Sequence, residues 1–147
     1  MRWCDDDLGF LIGCTHRALR ARLLERLSAL DLNFEQYQTL VALSVGDNVP
    51  QNVIAARLCL EATYTTRMVR RAEKHGLVTR ARDEKDTRVV RVSLTPRGRA
   101  MWKRAGLLRA EFLEEALSCL EPSDRPALQR ALVTLRDCLS LEPREHD

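Results

Sequence analysis

Residues 80–98 read RARDEKDTRVVRVSLTPRG and join a dense group of charges to a short apolar segment. Val90, Val92 and Leu94 fall at every second position, which is typical of a half-buried strand. The segment LVTRAR before them predicts a partner strand, and the charged run DEKDT predicts the turn between the two. This stretch therefore predicts a β-hairpin with a highly charged tip.

The hairpin is followed by a strong helix-start signal. Thr95 is a good N-cap and Pro96 suits the first helical position, so they predict a long helix that runs to Leu117. Glu121-Pro122 predicts its end. A last helix is expected after Ser123, with a one-sided apolar stripe at Leu128, Leu132, Leu135 and Leu139.

The residues before the hairpin predict four more helices. Apolar residues spaced by three and four from Leu8 to Leu30 indicate a long amphipathic helix. Asn33 and Gln36 form a capping-box pattern for a second helix, which leads to the turn GDNVP at 46–50. Two short helices are expected at about 51–59 and 62–75, the second ended by Gly76. The order predicts a helix–turn–helix and a wing between long end helices, whose stripes pack against each other and against a second copy.

The net charge of +3 conceals an uneven distribution. Residues 61–104 contain 13 Lys and Arg against 5 Asp and Glu, whereas the rest of the chain contains 11 against 16. A basic segment between acidic flanks is expected of a surface that binds a polyanion. At 147 residues the chain has the length of one domain.

Several classes of protein are disfavoured. The five cysteines are odd in number and lack CxxC spacing, and the three histidines show no HExxH, so neither a disulfide framework nor a metal site is indicated. No glycine-rich phosphate loop or G-x-S-x-G motif is present, and we expect neither an enzyme nor a cofactor. The N-terminus MRWCDDDLG does not resemble a signal peptide, and no apolar run approaches a membrane span. We therefore expect a cytoplasmic protein.

The helix at 62–75 has two faces. Thr65, Met68, Val69 and Ala72 share one face and are expected in the core. The other face carries small hydroxyls near the start and arginines further on, the residue types that approach base edges and phosphates in DNA. The candidate DNA contacts of this helix are Thr63, Tyr64, Thr66, Arg67 and Arg70.

Further contacts are expected on either side. Arg82 and Arg88 lie on the wing, where arginine can enter a minor groove, and Asp86 is placed to hold Arg88 by a charge-assisted hydrogen bond. Gln51 is a candidate contact to the DNA backbone. A solvated basic helix face and an ordinary exposed hairpin are the alternatives.

Residues 63–98 resemble the winged helix of the MarR family of bacterial transcription regulators. The resemblance lies in TRMVRRAEKHGLVTR and DEKDTRVVRVSLTPRG, with Asp86 and Arg88 as the D-x-R element of the wing and Leu94, Thr95 and Gly98 as the L-T-x-x-G element. It implies a mainly α fold with a small β-hairpin wing, a winged helix-turn-helix with long N- and C-terminal dimerisation helices. Residues 1–147 would form a single MarR-like domain, with the DNA-binding region at 33–94 and the helical dimerisation region at 5–30 and 96–141.

The resemblance also implies a function. It indicates a homodimer that binds a pseudo-palindromic double-stranded DNA operator, with the recognition helices in major grooves and the wings in adjacent minor grooves. Most such proteins are repressors that release DNA in response to a small aromatic or anionic effector or to an oxidant. Arg70 and Ala72 stand where relatives often carry an acidic residue and leucine, and the operator sequence stays open.

Effector and redox residues are weaker candidates. His16, Arg17, Tyr37 and Trp102 could hold an aromatic carboxylate, although Tyr37 and Trp102 also suit the core. Cys14 is a candidate redox sensor, although it does not clearly align with the first-helix cysteine of peroxide-sensing relatives, and a buried structural thiol is the alternative. A winged-helix dimer that binds protein, or nucleic acid without sequence preference, also remains open.

Overall fold

The computed structural model describes residues 7–140 and confirms the expected fold class, mainly α with a small antiparallel sheet. Contacts divide the chain into two compact units, the first ending at Phe112 and the second beginning at Leu113. The elements are α1 (Leu8–Leu27), a 3-10 turn (Ser28–Leu30), α2 (Phe34–Leu43), β1 (Val49–Pro50), α3 (Gln51–Leu58), α4 (Ala62–Lys74), β2 (Val78–Arg82), β3 (Val90–Leu94), α5 (Pro96–Leu117) and α6 (Asp124–Ser140).

The start of α2 follows the predicted capping box. The Gln36 backbone N–H donates to Asn33 Oδ1 at 2.9 Å, and the Asn33 N–H donates to Gln36 Oε1 at 3.0 Å. These two bonds satisfy N–H groups that the first turn of a helix leaves without partners. Leu32 and Tyr37, which flank the box, are both buried. The beginning of α2 is therefore fixed by local sequence.

The sheet has one strand more than the hairpin predicted from the sequence. Strands β2 and β3 pair as expected, with Val78 opposite Leu94 and Arg82 opposite Val90. The predicted turn at 46–50 also supplies β1, in which Val49 lies opposite Val92 and gives the order β1-β3-β2. Two residues are too few to show an alternating pattern. The pairing satisfies the second edge of β3, which sequence reasoning had left open.

The core of the first unit confirms the predicted inward face of α4. Thr65, Met68, Val69 and Ala72 are all essentially inaccessible to solvent. Met68, Val69 and Ala72 belong to a hydrophobic cluster that also includes residues of α2, α3 and the sheet, among them Leu40, Ile54, Leu77, Val78 and Val92. Helix α4 is therefore mounted on a packed core.

The end of α4 is a tight turn into the wing. Gly76 adopts φ 70°, a left-handed conformation that glycine tolerates well. The Leu77 N–H donates to the Ala72 carbonyl at 3.0 Å, which closes the C-terminal turn. Strand β2 begins two residues after Gly76, so the wing leaves α4 in a fixed direction.

The start of α5 is docked on this same turn. Thr95 caps the helix as predicted: its hydroxyl accepts from the Gly98 N–H at 2.9 Å and donates to the Gly76 carbonyl at 2.6 Å. Gly98 lies so close to the chain that a Cβ atom there would sit 2.0 Å from the Leu77 carbonyl oxygen. The L-T-x-x-G element therefore joins α5 to the junction between α4 and the wing.

The apolar stripes of the end helices are largely uncovered in the single chain. On α1, Leu27 is buried, whereas Leu8 is 70% exposed and Leu11, Ile12 and Leu19 are also exposed. In the second unit, the predicted stripe of α6 is exposed along its whole length, at Leu128, Leu132, Leu135 and Leu139. The sequence identified the stripes correctly. The packing of the stripes against each other and against a second copy stays a prediction.

Gly98→Ala is expected to lower the free energy of unfolding by about 2 kcal/mol or more, because the added methyl meets backbone atoms that cannot move aside cheaply. The matched control is Gly106→Ala in the same helix, where an added Cβ meets no atom within 4 Å. That change should raise the free energy of unfolding by up to ~1 kcal/mol through helix propensity. Urea unfolding followed by circular dichroism measures both. Equal effects of the two substitutions would contradict the close approach.

Candidate nucleic-acid interface

The outer face of α4 forms an open, cationic groove. It has a volume of about 620 Å³, and its lining among the described residues comes from this helix alone. Thr63, Arg67, Arg70 and Lys74 are exposed there, and Thr66 is half-buried. The structure therefore places four of the five predicted contacts of α4 on one surface, together with Ala62, Arg71 and Lys74.

Gln51 is tied to α4 rather than extended into solvent. Its Nε2 donates to Thr66 Oγ1 at 2.7 Å, and the Thr66 hydroxyl donates to the Ala62 carbonyl at 2.9 Å. Gln51 Oε1 is buried and has no hydrogen-bond partner among the described residues. The Gln51 side chain thus links the first turn of α3 to α4. If Gln51 also contacts the DNA backbone as predicted, the same amide group has to serve both contacts.

Tyr64, the fifth predicted contact, turns toward α2. Its hydroxyl donates to Glu35 Oε1 at 3.0 Å, while Arg71 donates to Glu35 Oε2 at 2.8 Å. Partial burial opposes ionisation of Glu35, but the bonds from Arg71 and Tyr64, with the charges of Arg71 and Arg67, hold its pKa below the ordinary value. Burial and the bond to Glu35 raise the pKa of Tyr64, so the phenol keeps the proton that it donates. Sequence reasoning missed Glu35, because one glutamate on a helix carries no distinguishing pattern.

The tip of the wing is organised around Asp83. Its Oδ1 accepts from the backbone N–H groups of Lys85 at 2.8 Å and Asp86 at 3.0 Å, and its Oδ2 accepts from Arg91. Arg91 also donates to the Asn48 carbonyl at 2.9 Å, which links the tip to the loop before β1. The hydrogen bond from Arg91 and those from the two backbone groups lower the pKa of Asp83 to about 2. Asp83 therefore acts as an ionised clasp.

Most of the wing arginines are engaged within the chain. Arg80 donates to Glu73 of α4 at 2.8 Å, and Arg82 donates to the Thr87 carbonyl at 2.6 Å. Arg91 is held by Asp83. Arg82, a predicted DNA contact, thus stabilises the turn with part of its guanidinium group.

Arg88 is an exposed cation at the tip of the wing, as is Lys85. The Arg88 side chain is 89% exposed, and two of its nitrogens donate to Asp86, each at 3.0 Å. The predicted charge-assisted bond between Asp86 and Arg88 is confirmed. Hydrogen bonds from the Arg88 side chain and backbone lower the pKa of Asp86, which keeps the pair charged. The orientation of Arg88 is therefore set before any ligand arrives.

The four predicted effector residues occupy different environments. His16 and Arg17 are exposed on α1, Trp102 is half-buried against the core, and Tyr37 is 5% exposed and belongs to the core. None of them lines a separate cleft of about 230 Å³. This cleft has an apolar part at Leu30, Leu32, Leu77 and Met101 and a polar part that includes Gln36, His75, Arg97 and Arg104.

Cys14, the redox candidate, is half-buried on α1. A guanidinium nitrogen of Arg17 lies 3.2 Å from its sulfur. Cys59, Cys119 and Cys138 are exposed, and Cys4 lies outside the described residues.

Within residues 7–140, His, Cys, Asp and Glu side chains form no group of three or more that could hold a metal ion. No helix in this part of the chain combines the length and apolar character that crossing a lipid bilayer requires.

Comparison with known proteins agrees with this geometry. The model of the MarR family matches residues 32–90. The organic hydroperoxide resistance transcriptional regulator of Bacillus subtilis is 30% identical over 135 residues, which cover 92% of this chain and 90% of that protein. The transcriptional regulator TtmR of Methylorubrum extorquens is 28% identical over 133 residues, covering 90% of this chain and 67% of that protein. A MarR mutant from E. coli, solved with operator DNA, superposes with a TM-score of 0.81 at 26% identity and covers 87% of this chain and 92% of its own.

We predict that Asp83 stays ionised until the pH approaches 2. A carboxyl with a folded pKa below its unfolded value of about 3.9 stabilises the fold above that value, and loses this contribution as the pH falls from about 4 through 2. A carboxyl-carbon NMR titration measures the pKa, and amide exchange at Lys85 and Asp86 reports the integrity of the tip. Asp83→Asn is the control. In this variant, amide exchange at the tip should be faster at neutral pH and should not change between about pH 4 and pH 2. An ordinary pKa for Asp83 would refute the clasp.

Proposed function

The chain belongs to the MarR family of transcription regulators, and from this premise we propose that it acts as a dimeric, sequence-specific DNA-binding repressor. Each α4 would enter a major groove, and each wing would place Arg88 in the adjacent minor groove. One observation carries this proposal: the cationic outer face of α4 and the oriented Arg88 are mounted on a single packed core. The DNA-binding region would be 33–94, within a single 1–147 domain.

The proposed contacts differ in what they supply. Thr63, Thr66, Arg67 and Arg70 would approach base edges and phosphates, since they face the groove of α4. Tyr64, Gln51 and Arg82 would contribute mainly by fixing their neighbours, because their polar groups already bond within the chain. The operator would be pseudo-palindromic, with half-sites about one DNA turn, or roughly 10 bp, apart.

Dimerisation is supported by the uncovered apolar stripes. Leu8 is 70% exposed and Leu139 is 74% exposed, and further apolar residues line the same helices. Contiguous exposed apolar surface on a globular protein marks an interaction site. We propose that the regions 5–30 and 96–141 pair with those of a second copy, which would bury both stripes.

A small aromatic or anionic effector would release the DNA. The group His16, Arg17, Tyr37 and Trp102 is one proposed location, with burial of Tyr37 as the argument against it. The cleft of about 230 Å³ with Arg97 and Arg104 is the alternative location. Comparing Trp102→Ala with Arg104→Ala in an effector titration would distinguish the two.

The known relatives are transcriptional regulators. We accordingly propose a cytoplasmic protein that is not an enzyme and works without metal or cofactor.

Selection of duplexes from a random library, followed by anisotropy titration, tests the proposal. The selected duplex should bind at least roughly 10³-fold tighter than random DNA of equal length at moderate salt. Sedimentation should give a dimer at the same concentration. A monomer, or equal affinity for both duplexes, would overturn the proposal and favour non-specific nucleic-acid binding or a protein partner.

Arg88→Ala should weaken binding to the selected operator about tenfold or more, since a specific arginine contact contributes roughly 1–3 kcal/mol. Its unfolding midpoint should be unchanged, because the side chain is exposed and, within residues 7–140, pairs only with Asp86. Lys103→Ala removes an exposed cation from α5 and is the matched control. If both variants bind equally well, the wing does not contact DNA as proposed.

The redox alternative rests on Cys14. A guanidinium nitrogen of Arg17 lies 3.2 Å from the Cys14 sulfur, and the Bacillus subtilis relative is named for organic hydroperoxide resistance.

Peroxide treatment separates the two mechanisms. If the redox alternative holds, an organic hydroperoxide should abolish operator binding by the wild-type protein and spare a Cys14→Ser variant. Under the repressor–effector proposal, peroxide leaves both unaltered in the anisotropy titration.

A further inference from the structure

We propose that Glu35 of α2 is a positioning residue for sequence recognition: it holds α4 and, through Tyr64, the guanidinium of Arg67 in the orientation that reads bases. This inference rests on the proposed function and adds a determinant of specificity that lies outside the recognition helix. Glu35 need not touch DNA for this role, because it acts on residues that face the groove.

The first support is that Glu35 holds α4 at two points. One carboxylate oxygen accepts from Tyr64 at 3.0 Å and the other accepts from Arg71 at 2.8 Å. These partners are seven residues apart, which is two turns or about 10 Å along a helix. Two anchors separated along one edge oppose rotation of α4 about its axis, whereas the apolar contacts of Met68 and Val69 are less directional.

The second support is the contact between Tyr64 and Arg67. The Arg67 guanidinium lies over the Tyr64 ring, 5.4 Å from its centroid. Because the Tyr64 hydroxyl is tethered to Glu35, the ring is a fixed surface for the cation. Arg67 is exposed and lines the groove of α4. Because the stacking already restricts the Arg67 side chain, less conformational entropy is lost when it binds DNA.

The third support is the firm mounting of Glu35 itself. It lies in the first turn of α2, between the two residues of the Asn33–Gln36 capping box. Its neighbour Phe34 is covered by the guanidinium of Arg20 on α1, which lies 4.4 Å from the ring centroid. A carboxylate on a capped and packed helical turn can transmit position to α4, which one on a mobile loop could not.

Electrostatics gives the proposal a distinctive signature. Removing an acidic group beside a DNA-binding face raises the affinity for any duplex if only charge matters. Loss of positioning instead lowers the affinity for the operator and leaves random DNA bound at least as well. The ratio of the two affinities therefore separates positioning from charge, and also from general loss of folded protein, which weakens both equally.

The test measures this ratio by anisotropy with the selected operator and a random duplex of equal length. Glu35→Ala should lower the ratio about tenfold, and Tyr64→Phe should lower it in the same direction without any change of charge. Glu35→Gln keeps an oxygen that can accept from Tyr64 and should recover part of the loss. Glu25→Ala, which removes an exposed glutamate paired with Arg22, is the control and should leave the ratio unchanged.

A double-mutant cycle tests the route through Arg67. If Glu35 acts through Arg67, then Glu35→Ala should lower the ratio little further in an Arg67→Ala background. Full additivity of the two substitutions, an unchanged ratio in Glu35→Ala, or an equal loss toward both duplexes would each overturn the inference. Failure of the wild-type protein to prefer any duplex would refute the proposed function instead, so the two failures are distinguishable.

Discussion

The contact between the first turn of α5 and the backbone of Leu77 is the constraint on which the arrangement of the DNA-binding elements depends. Gly98 leaves no room for even a methyl group, and the Thr95 hydroxyl bonds to both helix and turn. The junction between α4 and the wing is therefore pressed against the helix that leads away from the DNA-binding region. Because α4, β2 and α5 meet at this point, a movement of the first turn of α5 would reach both of the elements that we propose contact DNA. In the proposed function, this junction is the route by which an effector would act at a distance from DNA.

Many of the charged side chains in this protein stabilise the fold and are not simply available for binding DNA. The sequence shows a strongly basic segment, but Arg80, Arg82 and Arg91 form bonds that hold the wing to α4 and close its tip. Their effect is geometric, since they leave Arg88 on a fixed tip. Affinity for a polyanion follows from the excess of positive charge. Sequence specificity in addition requires that a few cationic side chains have a fixed orientation.

The exposed apolar stripes of α1 and α6 concern how two copies of the chain assemble. A wing and a recognition helix read only one half of a two-fold symmetric site, so the spacing between two copies has to be set by other elements. Leu19 of α1 and Leu132 of α6 are exposed apolar residues. In the proposed dimer, they would form part of the contact between the two copies. In the proposed dimer, the distance between the two α4 helices would be fixed by the packing of these stripes.

Local sequence determined much of this protein. The capping box of Asn33, the stop at Gly76, the Thr95-Pro96 start and the alternating Val90–Leu94 segment each depend on neighbours within a few residues, and all four are present as predicted. The two faces of α4 also follow from helical periodicity, which is why the sequence alone can name candidate DNA contacts on the outer face. The bond between Asp86 and Arg88 is local too, and it was predicted for that reason.

Tertiary structure decided what depends on residues far apart in the chain. Strand β1 exists because β3 offers a free edge, and the partners Val49 and Val92 are more than 40 residues apart. The role of Glu35 appears only when α2 meets α4, and the engagement of Arg80 only when β2 lies beside Glu73. Periodicity reveals which face of an element is polar. Only packing decides which of those polar groups are bonded within the chain and which remain for DNA.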